Sequence, residues 1–264
     1  MTDIYLFDVD GTLTPPRQPM APSFEVFFRE FVEQNCVFLI SGSDYQKISE
    51  QVPLDILSKC AGVYGCSGAE YYEGNQRVHR KMHSFPTELM TLVETFIKNS
   101  PYPMRHGTHI ELRPGMLNIS VPGRKSSLEQ RASYHEWDIR CHERSAFVTQ
   151  LMSLFPDYEA SCGGEISIDI VPKGWNKSVV KQEVLNKYPG GCLTFFGDRM
   201  GPQGNDKQLA DALNTPSARH RAIEVVDYKD TWIHLRHFLT IGASHGAIMR
   251  NEQALPNIPG MTMQ

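Results

Sequence analysis

The chain has 264 residues, 41% of them hydrophobic, enough for one large domain or two modest ones around a real core. A formal net charge of −4 and a pI near 6.2 argue against a general nucleic-acid binder, which is usually basic. No apolar run approaches the roughly 20 residues of a membrane span, and no basic-then-apolar leader opens the sequence, so no signal peptide is expected.

In chain order, Ile4 to Phe7 reads as a fully buried strand. It delivers Asp8 and Asp10 into the turn Gly11-Thr12-Leu13-Thr14. In extended backbone, residues two apart project to the same side, so both carboxylates address one spot. Asp-Gly turns are common on surfaces, so the pair needs partners elsewhere. Pro22 opens a helix with Phe24, Phe27, Phe28, Phe31 and Val32 on one face. Cys36 to Ile40 is a second buried strand, ending in Ser41-Gly42-Ser43-Asp44. Serine or aspartate there can cap the next helix, which holds Ile48 and Val52. Tyr71 to Val78 reads as a hairpin turning at Gly74-Asn75. Strand, helix, strand, helix argues a parallel sheet with covering helices.

The pattern then changes. Pro86 to Asn99 is an amphipathic helix, and His109 to Val121 a hairpin turning at Pro114-Gly115. Helices over 127–138 and 142–154 and a strand over Glu165–Val171 follow. This reads as an α+β unit inserted into the first domain. From Trp175 the earlier pattern returns: a helix with Val180 and Val184, the buried strand Cys192–Phe196 ending in Gly197-Asp198, a helix near 206–213, a strand at 222–226 and a helix at 229–239. After about 240 the sequence reads as a loosely held tail. The expected boundaries are a core over 1–80 and 174–240, a cap over 81–173 and a tail over 241–264. Ligands of open α/β sheets bind at the carboxyl ends of strands, where Asp8, Asp10, Ser43 and Asp198 all fall.

The six cysteines are scattered without a CxxC pair, which fits a reduced cytosol. Cys36 and Cys192 begin apolar runs and read as buried core thiols. His79 and His83 lack a carboxylate or cysteine to complete a zinc site, and read as surface or interdomain histidines.

Phosphoryl transfer by carboxylate attack needs a nucleophile, an acid/base, donors for the phosphoryl oxygens and a cation. Asp8 fits the nucleophile and Asp10 the acid/base. Ser43 offers a hydroxyl, or a simple helix cap, or both. Lys177 can neutralise the Asp8–phosphate pair, or is an ordinary surface lysine. Asp198 fits a Mg²⁺ ligand, with Asn205-Asp206 completing an acidic motif; hard oxygens suit Mg²⁺. In the insert, Arg113, Arg124 and Arg131, with Arg17 beyond the first loop, are candidate phosphate forks. Ser167 and Asp169 share one strand face.

The Asp8-to-Thr12 motif resembles the first motif of the haloacid dehalogenase (HAD) phosphotransferases. Pro16-Arg17-Gln18, Gly42-Ser43-Asp44, Met116-Leu117-Asn118, Gly123-Arg124, Gly163-Gly164-Glu165-Ile166-Ser167, Gly174-Trp175-Asn176-Lys177 and Phe195-Phe196-Gly197-Asp198 extend the likeness. Over roughly the first 210 residues the chain resembles the eukaryotic-type phosphomannomutases. The resemblance implies an α/β fold, a HAD-like Rossmannoid parallel-sheet core with an inserted α+β cap domain. It implies catalysis by Asp8, Asp10, Ser43 and Lys177. Hexose-phosphate contacts would fall on Arg17, Arg113, Arg124, Arg131, Ser167 and Asp169, and Mg²⁺ on Asp8, Asp10, Asp198 and Asp206. It further implies a hexose 1,6-bisphosphate activator, interconversion of mannose 6-phosphate and mannose 1-phosphate for GDP-mannose synthesis, a cytoplasmic enzyme and a homodimer through the caps, with neither nucleic acid nor membrane as partner. A sugar-phosphate phosphatase with the same core motifs is the alternative. The chain departs from the family at Ser41 and at Ser67-Gly68, and Leu209 to Pro216 does not keep the loop that carries an additional metal, so no second ion is assigned.

Overall fold

The computed structural model describes residues 2–202, 204–215 and 219–238; the expected tail after 240 lies outside them. Two sheets organise these residues. The first is built from β1 (Asp3–Phe7), β2 (Cys36–Ile40), β3 (Gly62–Gly65), β4 (Glu70–Glu73), β5 (Gln76–Arg80), β10 (Cys192–Gly197) and β11 (Arg221–Glu224), in the order β11-β10-β1-β2-β3-β4-β5. Pairing from β11 through β3 is parallel, and β4 and β5 add an antiparallel edge.

Strand alternation splits the core over two faces of this sheet. Phe7, Leu39 and Phe196 pack on one side with Phe24, Phe28, Phe31 and Val32 of α1 (Pro22–Gln34), and with α2 (Tyr45–Gln51) and α3 (Leu54–Lys59). Ile4, Leu6, Phe38 and Phe195 pack on the other side against α7 (Val179–Lys187) and α8 (Lys207–Leu213). Residues 228–238 are helical, and Thr231 Oγ1 donates to Thr12 O at 2.7 Å, tying this helix to the loop after β1.

The chain leaves the first sheet after β5 and rejoins it at β10. Between lies an antiparallel sheet of β6 (Ile110–Arg113), β7 (Met116–Ser120), β8 (Tyr158–Gly163) and β9 (Ser167–Pro172), ordered β6-β7-β9-β8. One face packs Leu117, Ile119, Ile168 and Ile170 against α4 (Thr87–Asn99) and α6 (Glu143–Leu154). The alternating residues Asn118, Ser167 and Asp169 take the other face. Helix α5 (Leu128–Cys141) starts with a capping box between Ser127 and Gln130.

Three elements depart from expectation. Helix α3 and strands β3 and β8 arise where the sequence shows no clear period. Cys36 and Cys192 are only half-buried because each opens its strand at the margin of the sheet; the buried thiols are Cys60 and Cys66. Among the described residues no helix is long and apolar enough to cross a membrane.

Candidate active site

The loop after β1 is folded by its own backbone. Asp8 N donates to Phe196 O at 2.9 Å, which continues the β1–β10 ladder by one residue. Gly11 N then donates to Thr14 O at 2.8 Å. Gly11 has φ +85°, and a Cβ there would lie 2.5 Å from Asp198 Oδ2. Glycine is therefore required both by its dihedral and by the approach of β10's exit. Gly197 permits a close approach on the other side, where a Cβ would lie 2.6 Å from Asp206 Oδ2.

These approaches gather Asp8, Asp198 and Asp206, with one carboxylate oxygen of each within 4.8 Å of the others. Lys177 lies beneath them at 1% exposure. Its Nζ donates to Asp206 Oδ1 at 2.6 Å and to Asp8 Oδ1. Burial alone would lower the ammonium's pKa; the charges of Asp206 and Asp8 outweigh it and push it above the ordinary lysine value. Burial raises Asp8 well above the usual carboxylate range, with Asp206 and Asp198 adding and Lys177 opposing. Burial and Asp206 raise Asp198 to about 7. Three carboxylates against one ammonium leave surplus negative charge in a buried place, so the donor set suits a hard divalent cation.

Asp10 stands apart from this cluster. Its Oδ1 accepts from Arg17 N at 2.8 Å, and Gln51 Nε2 lies 3.5 Å from its Oδ2. Its side chain lines the same cleft as Asp8 and Asp198, beside Arg17, which adopts a left-handed φ of +57°. Asp44 caps α2 by accepting from Lys47 N at 2.9 Å, so the capping role falls to Asp44 and the neighbouring Ser43 lines the cleft.

The cleft between the two sheets is open to solvent and encloses about 760 Å³ including its mouth. Asp8, Asp10, Arg17, Ser43 and Asp198 line it from the first sheet. Arg113, Arg124, Arg131, Ser167 and Asp169 line it from the second. Lys177 and Asp206 sit behind it, both fully buried.

The arginines are held by backbone and by one another's partners. Arg113 Nη1 donates to Gly42 O at 3.0 Å, a bond from the second unit to the first. Arg124 Nη1 donates to Ser167 Oγ at 3.0 Å, and Arg131 Nε to Ser126 O at 3.0 Å. Burial, then the nearby Arg113, depresses Arg124 to about 9; burial, then Arg17, depresses Arg131 to about 10. Crowded, partly desolvated guanidiniums favour an anion between them.

The sequence reading missed Glu111, Asn118 and Arg199. Glu111 pairs with Arg113 at 2.5 Å and with Lys47 at 3.1 Å. Burial would raise its carboxyl, yet the hydrogen bond from Arg113 and the charges of Arg124, Arg113 and Lys47 hold it down at about 2. Its spacing of two from Arg113 on a strand was the available signal. Asn118 Nδ2 donates to Asp169 Oδ1 across the β7–β9 register. Arg199 lines the cleft beside Asp198.

The eukaryotic phosphomannomutase family model matches residues 24–240. A Drosophila melanogaster phosphomannomutase is 33% identical over 226 residues, 82% of this chain and 89% of that protein. Mouse phosphomannomutase 1 is 32% identical over 77% of this chain and 81% of its own length. Among solved structures, a Plasmodium falciparum IMP-nucleotidase bound to IMP superposes with a TM-score of 0.61 at 12% identity, covering 90% of this chain and 68% of that one. A sugar phosphatase of HAD subclass IIB gives 0.56 at 15% identity, covering 90% and 99%. These two likenesses establish a HAD-like α/β fold. The sequence matches go further: the chain belongs to the eukaryotic phosphomannomutase family.

Proposed function

We propose that the chain is a phosphomannomutase that interconverts mannose 6-phosphate and mannose 1-phosphate. One observation carries the reading: a single cleft has a carboxylate cluster on one wall and three buried or half-buried arginines on the other. A monophosphate needs only the first wall. A sugar with a phosphate at each end needs both.

In this reading Asp8 attacks phosphorus and forms an aspartyl phosphate, while the oxygen that leaves takes a proton from Asp10. In the reverse transfer Asp10 withdraws the proton from the attacking sugar hydroxyl. Lys177 and Ser43 offset charge on the phosphoryl oxygens. Asp8, Asp198 and Asp206 would hold Mg²⁺, which supplies charge compensation between the carboxylates and the phosphoryl group. Arg17, Arg113, Arg124 and Arg131 hold the distal phosphate, and Ser167 and Asp169 the sugar hydroxyls. A hexose 1,6-bisphosphate primes Asp8 and recurs as the intermediate, which turns end for end. Residues 81–173 act as a cap whose closure excludes the water that would hydrolyse the aspartyl phosphate. The product supplies GDP-mannose synthesis in the cytoplasm. Exposed Leu112 and Ile139 on the cap support a homodimer through that unit.

The test is a Mg²⁺-dependent assay with mannose 1-phosphate, with and without a trace of hexose 1,6-bisphosphate, following mannose 6-phosphate and free phosphate. Activator-dependent mannose 6-phosphate is expected. Free phosphate alone, indifferent to activator, would establish a phosphatase instead.

A further inference from the structure

One oxygen of Glu111 gathers three cations. Its Oε2 accepts from Arg113 Nη2 at 2.5 Å and Nε at 3.2 Å, lies 3.3 Å from Arg124 Nε, and accepts from Lys47 Nζ at 3.1 Å. The two arginines belong to the second unit and are almost fully buried; Lys47 projects from α2 in the first. The arrangement leaves Arg124 incomplete. Its Nε is misaligned for a hydrogen bond, and its Nη2 has no hydrogen-bond partner among the described residues. A guanidinium fork is best satisfied by two parallel bonds to one anion, and Glu111 offers a single shared oxygen.

Resting on the mutase reading above, we propose that Glu111 is an internal competitor for the distal phosphate. It holds Arg113 and Arg124 when no phosphate is present and passes to Lys47 when a phosphate takes the forks. A phosphate dianion presents several oxygens to the two arginines where Glu111 presents one, so phosphate displaces it. The displaced carboxylate is not stranded, because the Lys47 ammonium is already at hydrogen-bond distance. The bisphosphate must release these arginines before it can turn. A carboxylate waiting to refill their donors speeds that release, at some loss of affinity. Glu111 is thus a positioning residue that sets how long the distal phosphate stays.

Two variants give opposite signs. Glu111→Gln keeps an acceptor of the same reach but removes the charge. It should bind inorganic phosphate and hexose 1,6-bisphosphate about three- to tenfold more tightly by calorimetry, with kcat and KM both lowered. Lys47→Met strands the displaced carboxylate and should weaken the same binding by a similar factor. Adding Arg124→Ala to Glu111→Gln should abolish the gain, which locates it at the forks. A merely structural role for Glu111 weakens binding in both single variants. Unchanged or weaker phosphate binding in Glu111→Gln, or tighter binding in Lys47→Met, would overturn the proposal. Should Glu111→Gln not fold, Glu111→Asp, which draws the carboxylate back, should tighten binding by a smaller factor, and weakening there is equally fatal. Neither titration requires turnover. A wild-type protein that forms no mannose 6-phosphate would defeat the mutase reading and leave the Glu111 result to be judged alone.

Discussion

Lys177 Nζ lies 2.6 Å from Asp206 Oδ1, and both side chains are sealed from solvent. A charge buried this completely is tolerable only with its partner. Lys177→Met should therefore cost roughly 3–5 kcal/mol of stability, because it leaves Asp206 and Asp8 uncompensated. Denaturant unfolding with and without Mg²⁺ checks this; the loss should shrink when the cation is present. An equally stable variant would mean that the buried ammonium is not what compensates these carboxylates.

Gly11 is the tightest point of the loop after β1. Gly11→Ala places a methyl group against the Asp198 carboxylate in a left-handed backbone. A destabilisation of about 1–3 kcal/mol is expected, with weaker Mg²⁺ activation, measured as the cation concentration for half-maximal turnover. Unaltered Mg²⁺ dependence would separate Asp198 from cation binding.

Asp198 also predicts a pH effect. Its carboxyl is raised from 3.8 to about 7 by burial and by Asp206. A raised pKa gives stability that is fully present below the unfolded value and is lost as pH rises through the folded value. The cation-free protein should therefore lose stability between about 4 and about 7. Asp198→Asn should flatten that slope in urea titrations, and Mg²⁺ should oppose it in the wild type. A slope of the same size in the variant would assign the effect elsewhere.

Glu111 predicts the opposite sign at lower pH. Its carboxyl is held at about 2, below the ordinary 4.5, so its contribution is present above 4.5 and fades as pH falls towards about 2. The stability difference between wild type and Glu111→Gln should narrow over that window. A difference independent of pH would mean that packing, not charge, holds the residue.

Arg124 has two donors, Nε and Nη2, without a hydrogen-bond partner among the described residues. Arg124→Ala should lower kcat/KM for mannose 1-phosphate on the order of a hundredfold, while hydrolysis of a small aryl phosphate changes little. Equal losses on both substrates would remove Arg124 from the distal phosphate.

The strands that carry the chemistry were legible because they are apolar runs ending in aspartate or serine, as β1, β2 and β10 show. Strand β3 was not, since Gly62 and Gly65 bound a segment only two side chains long. Its glycines serve neighbours: a Cβ on Gly62 would lie 2.5 Å from the Tyr71 ring. Strand β8, Tyr-Glu-Ala-Ser-Cys-Gly, lies at an edge and lacks the apolar alternation that marks a half-buried strand. In the site, Asp8, Asp10 and Asp198 follow from strand ends, whereas the burial of Lys177 between two carboxylates depends on packing across three elements. The role of Glu111 is not legible locally, because it comes from contacts with Lys47 and Arg124, which lie far from it in sequence.

Strand β1 lies between β2, which follows it closely in sequence, and β10, which is separated from it by the whole second sheet. As the polypeptide emerges during synthesis, one edge of β1 is satisfied early. The other, with Tyr5, Leu6 and Phe7 still unpaired, must wait until Cys192–Gly197 has been made. That interval exposes an apolar strand edge and delays assembly of the carboxylate cluster until last. The second sheet, whose strands all come from 110–172, can close upon itself in the meantime. The strand whose pairing waits longest is therefore the one that delivers Asp8 into the site.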